Sequence, residues 1–412
     1  MKKFIYLSAV LLTFMAVPIV LAMSNPEKKY NQWSFQSIDT MKVSRDRSRG
    51  LMENPNKEKI INQEVENVAK TGATHIGIAT PYDEEFLPIL RLWVQAARRN
   101  NLHVWYRGNF SGWEEWFGYA KIDRDTHIAK TREFILTNPD LFEDGDIFTS
   151  CPECENGEDV PYSPSPQLSS YKDFLLEEYN VTKESFRKIH KDIPANYYSM
   201  NYDIAMAMMD KETTAAFDGV VAIDHYVASP DELAADITKL AEHSGGKIVL
   251  GEFGAPIPDI NGDMTELEQK QWLAQAMENL AQLPELEGVN YWATVEASTS
   301  LWNLDGSERL ALSVLRDFYR SQVVKGRVLD PEGKPIASVV VTSGAYEIST
   351  DKEGYFHLPF LPIGQGVSLS YPSYKTKYVA VDTLYDMMQF SLEKEPNAFY
   401  SLISWLKTIF SF

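Results

Sequence analysis

Two carboxylates stand at matching places in this chain. Glu252 ends the apolar run Lys247-Ile248-Val249-Leu250-Gly251 and is followed by Phe253-Gly254. Well upstream, Asp146-Ile147-Phe148-Thr149-Ser150-Cys151 runs into Pro152-Glu153-Cys154-Glu155-Asn156-Gly157. A buried strand that delivers an acid at its C-terminal end can place it at a barrel mouth, where a second acid can meet it. Such a pair can divide its labour, one carboxyl protonated as proton donor and the other ionised as nucleophile or charge stabiliser. Cleavage of a glycosidic bond with retention of configuration needs that pair, roughly 5 Å apart.

Something must hold such acids, and the pattern between residues 31 and 320 supplies it. Short apolar β-rich runs at 33–37, 74–79, 102–107, 146–151, 196–201, 219–224, 247–252 and 288–292 alternate with amphipathic stretches. The helical stretches are 57–70, 84–99, 125–136, 169–190, 230–242, 266–280 and 308–319. Repeated strand-then-helix units predict a parallel sheet, and their number predicts an α/β (β/α)8 TIM barrel rather than an open sheet. No Gly-x-Gly-x-x-Gly follows any of these strands, which disfavours a dinucleotide site, and no cofactor or metal is expected.

Reading the C-terminal strand ends of that barrel gives the candidate rim. It holds Asp39, Arg107, Glu153 or Glu155, Asn201, Asp224, His225, Tyr226, Glu252 and Trp292. Arg107 either keeps a catalytic carboxylate charged or bridges a structural acid. Asp39 suits a turn or cap better than a substrate hydroxyl, and His75, inside its strand, is expected to be packed. Trp113 and Trp116 lie in the loop after the third strand; one ring is expected to stack on sugar and the other to pack. Cys151 and Cys154 are the two cysteines of the chain. They are too few to close a zinc site, and no helix begins where a thioredoxin-like dithiol would need one. A local disulfide in an oxidising compartment, stiffening the loop of Glu153, fits them best.

With these residues in view, 31–320 resembles a clan A glycoside hydrolase, the superfamily of the family 5 cellulases and mannanases. Gly251-Glu252-Phe253-Gly254 matches the clan's strand-seven nucleophile context, Asp224-His225-Tyr226 its strand-six His and Tyr, and Tyr291-Trp292 its strand-eight Trp. The resemblance implies Glu252 as nucleophile, Tyr226 as the hydroxyl that positions it, and Trp292 as floor of the sugar subsite. It implies Glu153, or alternatively Glu155, as acid/base. Strand four departs from the pattern: the clan has Asn just before the acid/base, whereas Pro152 or Cys154 stands there, which leaves Asn156 or Asn201 to contact the sugar 2-hydroxyl. Arg107, Asn201, His225, Tyr226, Trp292 and Trp113 make up the expected substrate-binding set.

The remaining features bound the setting. Lys and Arg number 39 against 58 Asp and Glu, a net charge of −19, so nucleic acid and anionic membrane surfaces are poor partners, while a neutral polysaccharide or oligosaccharide is not excluded. Lys2 and Lys3 precede an apolar run to Ala22, and Val20-Leu21-Ala22 has the form of a cleavage site; an uncleaved anchor is the alternative. Either way the globular part is expected outside the cytoplasm, secreted, periplasmic or at the cell surface. Residues 323–393 alternate in short β runs between Asp330-Pro331-Glu332-Gly333 and Asp351-Lys352-Glu353-Gly354 turns, and resemble a carboxypeptidase regulatory-like β-sandwich, which implies a spacer or adhesion role. The apolar tail 396–412 suits either interfacial membrane contact or packing against that module. A non-catalytic carbohydrate-binding or adhesion protein on an altered barrel is the rival to a hydrolase.

Overall fold

The computed structural model describes residues 33–158, 160–320, 322–343, 346–361, 366–380 and 387–395. The expectations for 1–22 and for 396–412 fall outside these residues. Eight strands form one sheet: β1 Phe35–Asp39, β2 His75–Ile78, β3 His103–Tyr106, β4 Ile147–Phe148, β5 Met200–Asn201, β6 Val220–Asp224, β7 Lys247–Phe253 and β8 Leu286–Tyr291. Their order is β4-β3-β2-β1-β8-β7-β6-β5, every pairing parallel, the curled arrangement of a TIM-like barrel. Between β4 and β5 no ladder closes the ring. Single bonds bridge that seam instead, from Phe148 N to Pro194 O at 2.9 Å, from Thr149 Oγ1 to Tyr197 O at 2.5 Å and from Glu153 N to Ser199 O at 3.0 Å.

Helices return the chain between strands where the periodicity places them, including Lys57–Ala69, Leu87–Arg99, Arg124–Thr137, Pro166–Lys188, Pro230–Ser244 and Glu266–Leu280. Their starts follow local chemistry: Ser165 and Ser229 accept from backbone N–H groups ahead of a proline at the first helical position, and Thr265 with Glu268 forms a reciprocal capping box. Two differences stand out. The last helix begins at Leu312, because Glu308 is drawn into a bridge with Trp302. Tyr202–Met208 and Lys211–Ala216 form short helices between β5 and β6, where the Met-rich stretch shows little helical period.

Inside the barrel, side chains at alternate positions stack in layers. Phe35, Trp105, Ile147, Tyr197, Ala222 and Val249 form a separate apolar cluster that plugs the interior. Trp105 meets Phe35 edge-on at 5.4 Å between ring centroids, and Phe35 stacks on Tyr197 at 5.9 Å. Two residues further along, the same period delivers Arg107 above Trp105, Ser199 above Tyr197 and Asp224 above Ala222. β7 breaks the count with a bulge. Ile223 pairs with Leu250 but Asp224 pairs with Glu252, so Gly251 is the extra residue and Glu252 is carried into the charged layer.

Beyond Tyr319 come β9 Gln322–Leu329, β10 Val340–Ser343, β11 Tyr346–Ser349, β12 Tyr355–Leu361, β13 Gly366–Ser370, β14 Lys377–Ala380 and β15 Met388–Ser391. They form a four-stranded sheet, β11-β10-β13-β14, and a three-stranded one, β12-β9-β15. Val324, Val328, Val341, Leu358, Val367, Leu369 and Phe390 are buried there. Short β runs are what the alternation predicts; the last strand, β15, pairs parallel to β9.

Because Trp105 is fully enclosed in the plug, Trp105→Ala should cost about 3–5 kcal/mol, read as an earlier midpoint in urea unfolding. A loss below about 1 kcal/mol would mean that the interior layer collapses freely around the gap.

Candidate active site

The charged layer is organised by Arg107, whose side chain is fully buried at the end of β3. Its Nη2 donates to Glu252 Oε1 at 2.7 Å and to Asp224 Oδ2 at 3.3 Å, its Nη1 donates to Ser199 Oγ at 2.7 Å, and its Nε lies 2.8 Å from Asp39 Oδ2. The guanidinium sits 4.9 Å above the Trp105 ring. Three carboxyl groups share one buried cation, so full ionisation would leave the layer two charges negative. Protons relieve the imbalance. Burial raises Asp224 well above the ordinary carboxylate range, and the neighbouring charge of Glu252 adds to it. Burial likewise lifts Asp39 to about 6, against the pull of Arg107.

Glu252 differs from its neighbours in what it accepts. Its Oε1 takes the Arg107 bond and its Oε2 takes the Tyr226 hydroxyl at 2.8 Å, while its backbone carbonyl accepts from His225 N at 2.9 Å. The Tyr226 ring meets Trp292 edge-on at 5.9 Å, and both residues are half-buried at the mouth. The Trp292–Ala293 peptide is cis. Asn290 donates to Asp39 and to the Gly251 carbonyl, which ties β8 to the same layer. At Gly77 a Cβ would lie 3.1 Å from Asp39 Oδ2, so the missing side chain lets β1 and β2 close on this acid.

Across the seam, Glu153 stands between two disulfide-bonded cysteines, Cys151 and Cys154. Its backbone is left-handed, φ 42°, and its Oε2 accepts from Asn156 Nδ2 at 3.2 Å. Burial, and next the negative charges of Glu252 and Glu155, push its carboxyl up to about 8. Glu155 is placed differently. It is 5% exposed, with Oε1 accepting from the Asn201 backbone N at 2.6 Å and Oε2 from the Tyr171 hydroxyl at 3.2 Å. Its carboxyl is thus a clamp between the loop, β5 and the helix Pro166–Lys188.

The other expected residues sort as follows. Trp113 is 1% exposed, stacked on Phe174 at 5.3 Å with Nε1 donating to the Cys154 carbonyl, so the expectation that it binds sugar is corrected: this is the packed ring. Trp116 is the half-exposed ring of the loop, with Arg45 4.6 Å over its face. Arg107 pairs with carboxyls as expected, but from a buried position beneath them, which corrects its place in the substrate-binding set. Asp39 takes the turn role expected of it, its Oδ1 accepting from the Met41 backbone N at 2.6 Å, but from a wholly buried position where the carboxyl also partners Arg107. His225 bonds Asp236 at 2.9 Å and stacks on Tyr202 at 4.4 Å, and Asn201 is partly exposed at the end of β5. His75 is packed as expected, its Nε2 2.8 Å from the Gly145 carbonyl. Sequence reasoning missed Ser199 and Asn290; the period of two counted back from strand ends would have found both. Among the described residues, no group of three or more His, Cys, Asp or Glu is arranged to hold a metal ion.

Asp39 and Glu153 bind protons more tightly folded than unfolded. Each therefore contributes stability at acid pH that is lost as pH rises through its folded value, about 6 and about 8 respectively. Urea unfolding from about pH 4.5 to about pH 8.5 should show a declining free energy, with a flatter upper half in Glu153→Gln. Parallel profiles for parent and variant would contradict the raised Glu153. Arg107→Met, which strands the buried acids, should cost about 3–5 kcal/mol near neutrality and less at about pH 5, again by urea titration. An equal loss at both pH values would contradict the charge account.

No known protein family's sequence model matches this chain, and no curated protein matches it. Solved structures do. A Bacteroides uniformis β-glucuronidase 2, covalently bound to cyclophellitol-6-carboxylate aziridine, shares 11% identity at a TM-score of 0.46, covering 81% of this chain and 44% of that one. A fungal β-1,4-galactanase shares 14% at 0.46, covering 69% and 99%, and a family 5 xyloglucanase from Paenibacillus pabuli shares 12% at 0.44, covering 62% and 88%. The chain spans about half the length of the β-glucuronidases that it matches.

Proposed function

We propose that this chain is an exported glycoside hydrolase that cleaves a neutral, β-linked polysaccharide by a retaining double displacement. One observation carries the reading: a carboxylate gripped by Arg107 and Tyr226 faces a second carboxyl raised to about 8 at the same barrel mouth. Glycosidic cleavage asks for a carboxyl that keeps its proton near neutrality beside a carboxylate held in place by donors.

In the proposed cycle Glu252 attacks the anomeric carbon while Glu153 gives its proton to the leaving oxygen. Glu153 then takes a proton from the water that releases the glycosyl-enzyme, and Glu252 leaves as the carboxylate again. Tyr226 orients Glu252, Trp292 floors the sugar ring, and Trp116 is the loop ring left to meet a further sugar. Asn156, bonded to Glu153, and Asn201 are the amides available for the 2-hydroxyl. The neutral substrate rests on the net charge of −19, and export on the Lys2–Ala22 segment. The C-terminal sheets serve, in this reading, as a non-catalytic carboxypeptidase regulatory-like spacer.

Residues 23–412 should release reducing sugar from at least one of a panel of β-glucans, mannans, xylans and galactans, with activity falling away above about pH 8 as Glu153 loses its proton. Glu252→Gln should reduce release to background. Glu153→Gln should cost about 10²–10⁴-fold and erase the alkaline limb, whereas Glu155→Gln should keep that limb. NMR of the first-formed product should show the substrate's anomeric configuration. Undiminished release by Glu252→Gln would end the nucleophile assignment, and binding without release would favour a carbohydrate-binding protein.

A further inference from the structure

Ser199 stands between the two acids. It lies just before β5, wholly buried, with a left-handed backbone at φ 53°. Its hydroxyl accepts from Arg107 Nη1 at 2.7 Å and donates to Asp224 Oδ1, so its side chain belongs to the cluster around Glu252. Its carbonyl accepts the backbone N–H of Glu153 at 3.0 Å, so its main chain belongs to the loop of the other acid. Glu153 is itself left-handed, and two non-glycine residues in that region, bonded to each other across the seam, persist where their surroundings over-determine them. The Cys151–Cys154 bridge constrains one side and the Arg107–Asp224 contacts the other.

Gly251 provides the space. A Cβ there would lie 1.9 Å from Ser199 Oγ, 2.5 Å from Asp224 Oδ1 and 3.0 Å from Arg107 Nη1. The bulge residue that carries Glu252 into the charged layer is thus also the one that leaves room for the Ser199 hydroxyl.

We infer that Ser199 is a positioning residue that sets the separation and mutual orientation of Glu153 and Glu252, gripping one cluster with its hydroxyl and the other loop with its carbonyl. This rests on the hydrolytic roles proposed for the two acids. It also gives the left-handed backbone a purpose: that conformation lets one residue face both ways.

Three variants test it. Ser199→Gly keeps the freedom to adopt positive φ and removes the hydroxyl. Gly251→Ala drives a methyl into the hydroxyl's place, and the double variant relieves that part of the clash while leaving the approach to Asp224 Oδ1. Ser199→Gly should lower kcat about 10–100-fold with little change in KM, the scale of loss from misplacing a reacting group by about 1 Å. Its alkaline limb should move to lower pH, because a Glu153 that recedes from the cluster is less buried and less repelled by Glu252. The double variant should be no worse than Gly251→Ala alone, since both changes strike one contact. Losses that multiply, or a lowered Tm with the limb unmoved, would reduce Ser199 to a structural role and overturn the inference.

A readout free of substrate separates this from the hydrolase reading. The Glu153 carboxyl can be titrated by ¹³C NMR in glutamate-labelled protein, with Glu153→Gln as assignment control. A lower titration point in Ser199→Gly supports the coupling even if the parent is silent on every glycan; an unmoved one overturns it even if the parent is active. Ser199→Ala, which removes the hydroxyl alone, supplies the same readings should the glycine variant fail to fold.

Discussion

One guanidinium organises the mouth of this barrel. Arg107 donates to Glu252, Asp224 and Ser199 and lies against Asp39, which draws side chains from β1, β3, β6 and β7, and from the segment before β5, onto one buried cation. Burying a charge is costly unless partners satisfy it, and here the partners outnumber the charge. That excess shapes the site: the most enclosed acids hold protons more tightly than free carboxyls do, while Glu252 accepts from two donors. A cation exposed to water would not force this division, because solvent would screen the acids from one another.

The two proposed catalytic acids are held by different means. Glu252 sits in the longest strand of the barrel sheet, in ladder with neighbours on both sides. Glu153 sits on a loop beyond a two-residue strand, at the seam where no ladder runs, and is held by the disulfide, the Ser199 carbonyl and the clamp of Glu155. A nucleophile must meet one carbon, and rigidity suits it. An acid that also serves as base must reach an oxygen and then a water, and a loop fixed at several points allows that while a ladder would not.

Much of this was legible in the sequence, and the rest was hidden for identifiable reasons. Eight strands and the helix faces followed from apolar periodicity, because a barrel strand has to be buried on both sides. Glu252 and Tyr226 followed from strand-end context. Glu153 against Glu155 did not, since the two are separated by one cysteine and only the backbone path decides which carboxyl reaches the Asn201 N–H. Trp113 and Trp116 read alike for a similar reason: burial by Phe174 and His127 comes from distant segments. Ser199 lies within reach of the period of two, but a serine carries no compositional signal of its own, and the backbone angle that lets it face both acids is not readable from its identity. The short helices after β5 were missed because Asn201–Met209 is uniformly apolar on its buried side and too brief to show a period.

The apolar plug beneath the charged layer has a consequence for traffic through the site. Phe35, Trp105, Ile147, Tyr197, Ala222 and Val249 form an apolar layer below Arg107, which is a poor route for water or hydronium. Proton exchange with the surroundings then runs through the mouth. A saccharide lying across that mouth would slow this exchange, and the protons shared among the buried carboxyls would remain close to a fixed number for as long as it stays. The protonation state with which the site meets its ligand would be the one with which it completes the visit, which makes the pH of the medium a property sampled between encounters.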